Sequence, residues 1–521
     1  MGRYEFSRSY DAIVVGAGNG GLAAAAVLAK NGMNTLLLEK HNVPGGFASS
    51  FVRGRFEFEA ALHVLADYGP PEHRGNLGRF FDDLGINVEW AEVPEAYRLI
   101  TTDDPDGNLD VVMPLGVEAY IDKMEQYVPG SRESVTKYLA LSKEVYEALG
   151  YLGKNKGHVD KKILLDQYGS FVRTCAATQQ QVLDSLKMPK KAQRILNAYW
   201  TYLAVDMEHV NFTIFGVMIY ALLELRAYVP RNRSHEISVA LASKIKELGG
   251  QIEYNSRVEQ ILAENGRIVG VKTCKGEYIG ANCVVANASE HTVYSRLLYP
   301  KSEVPEMGCK ICNARKMGPG AVVVYLGLNK SAEELGISEY EYLIYESMDT
   351  TACYREFFTR GKTKAQATAC LNKVFPDCSP PGTCIISFTV LNDGDMWKDV
   401  TPETYFEEKT RIAEEILDTF ERATGIRLKD NIEEIEIATP ETFANFSCKY
   451  NGSIYGYEVE PWDSVIAKSL TINDADENPV KGLRFAGGFS RQSQGFSSSY
   501  KTGEIAGRLA VADCKEARKD G

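Results

Sequence analysis

The chain has 521 residues, which at about 150 residues per domain excludes one small domain and leaves room for an enclosed active site. Its net charge of −12, from 58 Lys and Arg against 70 Asp and Glu, leaves no basic footprint for nucleic acid. With 44% hydrophobic and 25% charged residues, a disordered or fibrous chain is excluded as well. Residues 1–10 carry no long apolar region, so no signal peptide is expected. Residues 11–15 read as a buried strand, 20–31 as an Ala-rich helix closing at Gly32, and 34–39 as a second strand. Between the first two, Gly16, Ala17, Gly18, Asn19, Gly20 and Gly21 fit G-x-G-x-x-G, and Glu39 stands 18 positions past Gly21 at the end of the next strand. Glycines let a backbone approach a pyrophosphate at a helix N-terminus, and a carboxylate at that distance accepts from a ribose diol. Dinucleotide binding is therefore expected, with FAD and NAD both open.

From 117 to 152 the texture turns helical, with Met124, Tyr127, Tyr138, Leu141, Val145 and Leu149 among charges, and it persists to about 225. The longest apolar stretch, 212–223, has 12 residues with Gly216 inside, short of the roughly 20 that a membrane helix needs. Together with Tyr199, Trp200 and Tyr202 it reads as ordinary core; a tunnel for a long apolar substrate, or a membrane contact, is the alternative. A helix over 237–248 closes on Gly249 and Gly250, and strands are expected at 250–254, 267–272 and 283–286. Runs at 320–328, 342–345 and 383–391 suggest a sheet, 402–424 an amphipathic helix closed by Gly425, and the segment from Leu483 a strand, a Gly/Ser-rich loop and a helix. The economical division is a discontinuous dinucleotide-binding domain from 1–115, 232–300 and 480–521, and a substrate-binding domain from 116–231 and 301–479. Eleven irregularly spaced cysteines fit the reducing cytoplasm, and neither the Cys309 and Cys312 pair nor Asp206 with His209 makes a metal site.

Glu39 and Lys40, then Pro44, Gly45 and Gly46, then Arg53, Gly54 and the run from Phe58 to His63 resemble the N-terminal FAD signature of the phytoene desaturase, carotenoid isomerase and retinol saturase family. That family usually reads F-D-x-G-x-H in the last piece; here Glu59 replaces the Asp, Ala61 replaces the Gly, and His63 keeps its place. Gly249, Gly250, Val258, Ile261 and residues 265–268, then 284–288 with Asn287, resemble the second FAD segment, where the backbone at Val258 meets the adenine. Thr439 with Pro440 and residues 452–456 resemble blocks of the substrate domain. Residues 485–488, Gly495, Phe496 and 503–507 resemble the segment that closes over the flavin.

The resemblance implies an α/β fold: an FAD-binding, Rossmann-like domain of the glutathione-reductase type with an inserted α+β substrate domain. It implies an FAD-dependent oxidoreductase or isomerase that transfers hydride at flavin N5 to or from double bonds of an extended isoprenoid, carotenoid-like or retinoid-like substrate. The cofactor shell it implies is Gly16, Gly18, Asn19, Gly20, Gly21, Glu39, Lys40, Gly45, Gly46, Arg53, His63, Val258, Asn287, Gly487, Gly488, Gly495, Phe496 and Ser497. His63 reads as a proton donor or ring contact, or else as a core histidine beside the cofactor. The family's Pro-x-Gly-Gly reads here as Pro230, Arg231, Asn232, Arg233. A guanidinium beside the flavin can hold a carboxylate, so Arg233 is a candidate catalytic anchor, and an unsaturated fatty or other carboxylic acid is the alternative substrate. The plainer reading of Arg233 is a solvated surface residue. A lipid-chain-binding protein without redox work is the third reading, and the intact glycines with Glu39 count against it. The expected partner is a hydrophobic or amphipathic small molecule, with peripheral membrane contact at most and no nucleic acid.

Overall fold

The computed structural model describes residues 4–155, 159–359, 364–459, 479–490 and 495–520. The expected Gly/Ser-rich loop therefore falls partly outside the described residues, at 491–494. Strand β1 (Arg8–Val15), helix α1 (Asn19–Lys30) and strand β2 (Thr35–Leu38) form the opening unit. β1 and β2 run parallel, Ala12 opposite Thr35 and Val15 opposite Leu38. Ala12, Ile13 and Val14 are fully buried, as a parallel strand covered on both faces requires. On its other side β1 pairs in parallel with Tyr278–Ala286, which pairs in parallel with Leu483–Phe485. Gln251–Glu253 extends the sheet beyond β2, and Arg267–Thr273 and Val258–Glu264 extend it antiparallel beyond Tyr278–Ala286, giving eight strands in all.

α1 is buried along its whole length from Gly20 to Ala29, because the sheet, the helix Arg233–Glu247 and the C-terminal helix Phe496–Asp520 all pack on it. Small residues make this approach close: a Cβ on Gly503 would stand 2.1 Å from the Gly20 carbonyl oxygen, and one on Gly507 2.8 Å from Val27 Cβ.

The second sheet has seven strands in the order Ile432–Ala438, Gly320–Leu328, Cys384–Asn392, Ala365–Ala369, Glu341–Tyr345, Tyr97–Thr101, Asp110–Met113. The last two correct the expected division, which placed 1–115 with the first unit. Arg98 pairs in parallel with Tyr342, and Tyr97, Leu99, Val111 and Met113 bury against Tyr120, Met124 and Tyr138 of the helical layer. A short alternating run shows that it is a strand and says nothing of which sheet edge receives it. The helix Tyr405–Thr424 covers the other face through Ile412, Ile416, Leu417 and Phe420. The helices Arg132–Asn155 and Phe212–Leu223 pack against each other beside the sheet. Among the described residues no helix is long and apolar enough to cross a membrane.

Candidate functional site

The turn from β1 into α1 is built on glycines that other backbone presses against. Gly16 holds φ +95° and donates its N–H to Leu38 O at 2.8 Å. A Cβ on Gly21 would stand 1.9 Å from the Gly16 oxygen and one on Gly20 2.5 Å from Gly487 N. Gly18 caps α1 without a side-chain cap, so the first-turn amides point out of the helix N-terminus. Gly45 donates to Ala17 O at 2.8 Å, which brings Gly45 and Gly46 alongside Gly18. The Asn287 amide, oriented to satisfy both ends, accepts from Gly18 N–H at 3.1 Å and donates to Ala486 O at 3.3 Å, tying three segments at the turn.

Glu39 is buried at the end of β2, where it accepts from Ala17 N–H at 2.6 Å and His41 N–H at 2.8 Å. Ser256 N–H donates to Glu39 O at 2.8 Å, which sets Val258 close by. Asn19 Oδ1 is buried without a hydrogen-bond partner and faces a large cavity. A glycine-walled helix N-terminus, a buried carboxylate where a ribose belongs and an orphaned amide oxygen fit FAD. When bound, that group supplies hydride transfer.

Two residues expected in the shell are held elsewhere. Lys40 Nζ donates to Phe446 O at 2.6 Å and Cys448 Sγ at 3.0 Å, at the end of the helix Pro440–Ser447. Arg53 is half-exposed and pairs with Glu436 at 2.6 Å. Lys40 ties the end of β2 to the end of that helix, and Arg53 ties the hairpin to the second sheet.

Arg233 meets neither expectation. Its backbone keeps φ +64°, the left-handed conformation that the family's glycine accommodates, yet its side chain is only 6% exposed. Nε and Nη2 donate to Glu57 O at 3.0 and 2.7 Å, Nη2 donates to Cys378 O at 2.7 Å, and Nη1 pairs with the Glu57 carboxylate at 3.1 Å. Beside it, Glu59 accepts from Ser234 N–H at 2.6 Å and Ser234 Oγ at 2.7 Å, and burial pushes the Glu59 carboxyl above its ordinary value. Two of the departures from the family pattern, Glu59 and Arg233, thus form one lock between the hairpin of strands Ser50–Arg53 and Phe56–Glu59 and the start of the helix Arg233–Glu247. Arg233 does not line the large cavity, so the carboxylate anchor is corrected: the protein's own acceptors engage the guanidinium.

The large cavity holds about 600 Å³. Its wall includes Asn19 of the cradle with Phe47, Gly488, Gly495, Phe496 and Ser497, and also His63, Tyr199, Tyr202 and Thr389. It is further lined by Leu149, Gly150 and Gly153 of one helix, Val217, Met218 and Ala221 of the second, and Ile505 and Leu509 of the C-terminal helix. The stretch 212–223 divides between core and cavity wall: Phe212 and Phe215 are fully buried core, while Ile214, Val217 and Met218 face the cavity.

His63 lines this wall, its Nε2 3.1 Å from Thr389 Oγ1 and its Nδ1, which has no hydrogen-bond partner among the described residues, 3.5 Å from the Glu341 carboxylate. Charged residues at or just behind the wall that escaped sequence reasoning include Asp67, Lys501 and Arg508, and two more, Lys449 and Glu341, sit beside its rings. Lys449 lies 4.4 Å from the Phe47 ring centre, where burial pushes its ammonium down to about 8. Glu341 is fully buried; its one sequence signal is an acid heading the otherwise apolar run Glu341–Tyr345.

Behind Glu341, Glu95 accepts from Tyr340 N–H at 2.5 Å and Glu341 N–H at 3.1 Å, and burial pushes its carboxyl up to about 7. A raised folded-state value means that Glu95 favours folding while protonated, and that this contribution fades as pH rises from the unfolded value through 7. The loss is on the order of 3 kcal/mol. Denaturant midpoints of Glu95→Gln should therefore decline less than wild type between pH 5 and 8 (~ordinary carboxyl to full ionisation), and equal declines would refute this assignment.

The sequence pattern of the family described as flavin containing amine oxidoreductase matches residues 20–509. All-trans-retinol 13,14-reductase of Rattus norvegicus is 28% identical over 370 residues, covering 68% of this chain and 60% of that protein's length. The chloroplastic prolycopene isomerase of Daucus carota is 21% identical over 538 residues, covering 97% of this chain and 81% of the isomerase. Cyclohexylamine oxidase from Brevibacterium oxydans superposes with TM-score 0.59 at 15% identity, over 98% of this chain and 99% of the oxidase. An oxidoreductase from Methanosarcina mazei does so with TM-score 0.58 at 16% identity, over 94% and 98%. These superpositions agree with the expected α/β, Rossmann-like FAD-binding fold, and the sequence relatives with the retinol saturase and carotenoid isomerase resemblance. With a cradle shaped for the dinucleotide and a family pattern running through nearly all of it, the chain belongs to the flavin-containing amine oxidoreductases and uses FAD.

Proposed function

We propose that the protein is an FAD-dependent oxidoreductase or isomerase acting on a carbon-carbon double bond of an extended isoprenoid, of carotenoid or retinoid type. The observation that carries this is the cavity, which starts at the cofactor cradle and continues as an apolar passage between the helices Arg132–Asn155, Phe212–Leu223 and Phe496–Asp520. Such a passage lays a polyene past the cradle and keeps water from the reacting bond. The names of the rat and carrot relatives support the substrate class, while the engagement of Arg233 by Glu57 and Cys378 removes the support for a carboxylic acid. Because an isoprenoid partitions into bilayers, the reading extends to a cytoplasmic protein that touches a membrane peripherally; co-flotation with liposomes tests that extension.

The purified protein is expected to show a flavin band. Once it is reduced anaerobically, retinol or a carotene should reoxidise that band or be isomerised, and an unsaturated fatty acid should not. Turnover of the fatty acid alone would return the carboxylic-acid reading, and no flavin after reconstitution would favour lipid binding without redox work. Gly153, where nothing lies within 4 Å of a built Cβ, offers a second check. Gly153→Trp should fill the passage and raise KM for a carotene roughly ten-fold, about 1.4 kcal/mol, with flavin content unchanged.

A further inference from the structure

Glu341 is a carboxylate with no exposed surface. The Tyr202 hydroxyl donates to it, and the Tyr199 hydroxyl, which donates to the Ala96 carbonyl, lies 3.1 Å away. Among the described residues, His63 is the one basic side chain within 4 Å of it. A carboxylate removed from water is costly unless a counter-charge or a proton accompanies it. His63 Nδ1 has no hydrogen-bond partner at its 3.5 Å separation from Glu341, so the one nearby basic group and the buried carboxylate face each other with no other group among the described residues satisfying that nitrogen. The geometry gives the two imidazole nitrogens different tasks. Nδ1 faces Glu341 at 3.5 Å, and Nε2 faces Thr389 Oγ1 at 3.1 Å, on the cavity side. The Tyr340 hydroxyl donates to the His63 carbonyl and steadies its backbone.

Resting on the function proposed above and deepening it, we infer that His63 Nε2 is the proton donor for net reduction of the substrate double bond, and that Glu341 is the positioning residue that keeps Nδ1 protonated. The balance is simple. Reduction breaks one carbon-carbon π bond and forms two C–H bonds. One carbon receives a hydride, two electrons and a proton together, from reduced flavin. The other receives the Nε2 proton, and imidazolium becomes imidazole. A desaturase would need a base at this place and an isomerase no net proton, so the product formed tells the three apart.

The test uses the FAD-loaded protein reduced with dithionite, with all-trans-retinol as probe, and the same protein without probe for NMR of ring-labelled histidine. The titratable groups packed around His63 are Glu341, Tyr199, Tyr202 and Tyr340, with Glu95 behind Glu341. Glu341→Gln keeps the shape and the acceptor for Tyr202; it should lower the His63 titration midpoint by at least one pH unit, a ten-fold shift. In single turnover His63→Gln should slow reduction by about 100-fold, and Glu341→Gln should move the pH profile of that rate in the same direction as the NMR midpoint. Product formed in D2O should carry two deuteriums, because dithionite supplies only electrons and solvent provides both the hydrogen on reduced flavin and the Nε2 proton. Reduction by His63→Gln at the wild-type rate, an unmoved His63 midpoint in Glu341→Gln, or a wild type that yields only geometric isomers would overturn the inference and leave the proposed function standing. Neither reduction nor isomerisation of retinol or a carotene by the wild type would overturn both. Should His63→Gln fail to fold, the NMR comparison of Glu341→Gln with wild type still decides the pairing.

Discussion

Gly21→Ala is expected to yield a protein without flavin. The added Cβ would stand 1.9 Å from the Gly16 carbonyl oxygen and 3.2 Å from Asn287 Cβ, and the Gly16 oxygen cannot retreat. Gly16 is fixed at φ +95° by its turn and by the N–H it donates to Leu38 O at 2.8 Å. The start of α1 must then move, and with it the first-turn amides that would hold the pyrophosphate. Overpacking of this kind costs about 1–3 kcal/mol in stability. Displacing the amides should weaken FAD binding at least about 100-fold, about 3 kcal/mol. Flavin absorbance per mole of purified protein, before and after dialysis against excess FAD, measures the effect. A fully loaded variant would show that the glycines serve the turn and leave the nucleotide to other residues.

Arg233→Leu should destabilise the fold and leave ligand affinity alone. Truncation strands the Glu57 and Cys378 carbonyls and releases the Glu57 carboxylate, all of which the guanidinium now engages at 2.7–3.1 Å. The Glu57 carboxylate is 42% exposed and returns to water, so the loss comes from the stranded carbonyl acceptors, about 1–3 kcal/mol. Arg233→Leu keeps the left-handed backbone as well, so Arg233→Gly, which relieves that strain, should lose less by about 1 kcal/mol. Thermal melting of the two variants gives the order, and equilibrium dialysis of an unsaturated fatty acid gives the affinity. An unchanged melting point together with a ten-fold weaker fatty-acid Kd would restore the anchor reading.

The sequence by itself determined the β1–α1–β2 unit, the glycine turn and the place of Glu39, because each rests on neighbours within one short stretch: apolar runs, spacing of glycines, a carboxylate at a fixed remove. Resemblance carried the remaining FAD segments, and the structure brings Asn287, Gly487 and Gly488 to the same turn. Tertiary structure alone decided the rest. Arg233 meets Glu57 and Cys378, His63 meets Glu341 and Thr389, and the strands Tyr97–Thr101 and Asp110–Met113 join a sheet whose other members come after residue 319. Such contacts join positions far apart in the chain, and no local periodicity encodes them. The charge of Arg233 was visible in the sequence, but its role depends on which acceptors surround it. The same guanidinium anchors a ligand in an open pocket and locks a fold when backbone carbonyls close around it.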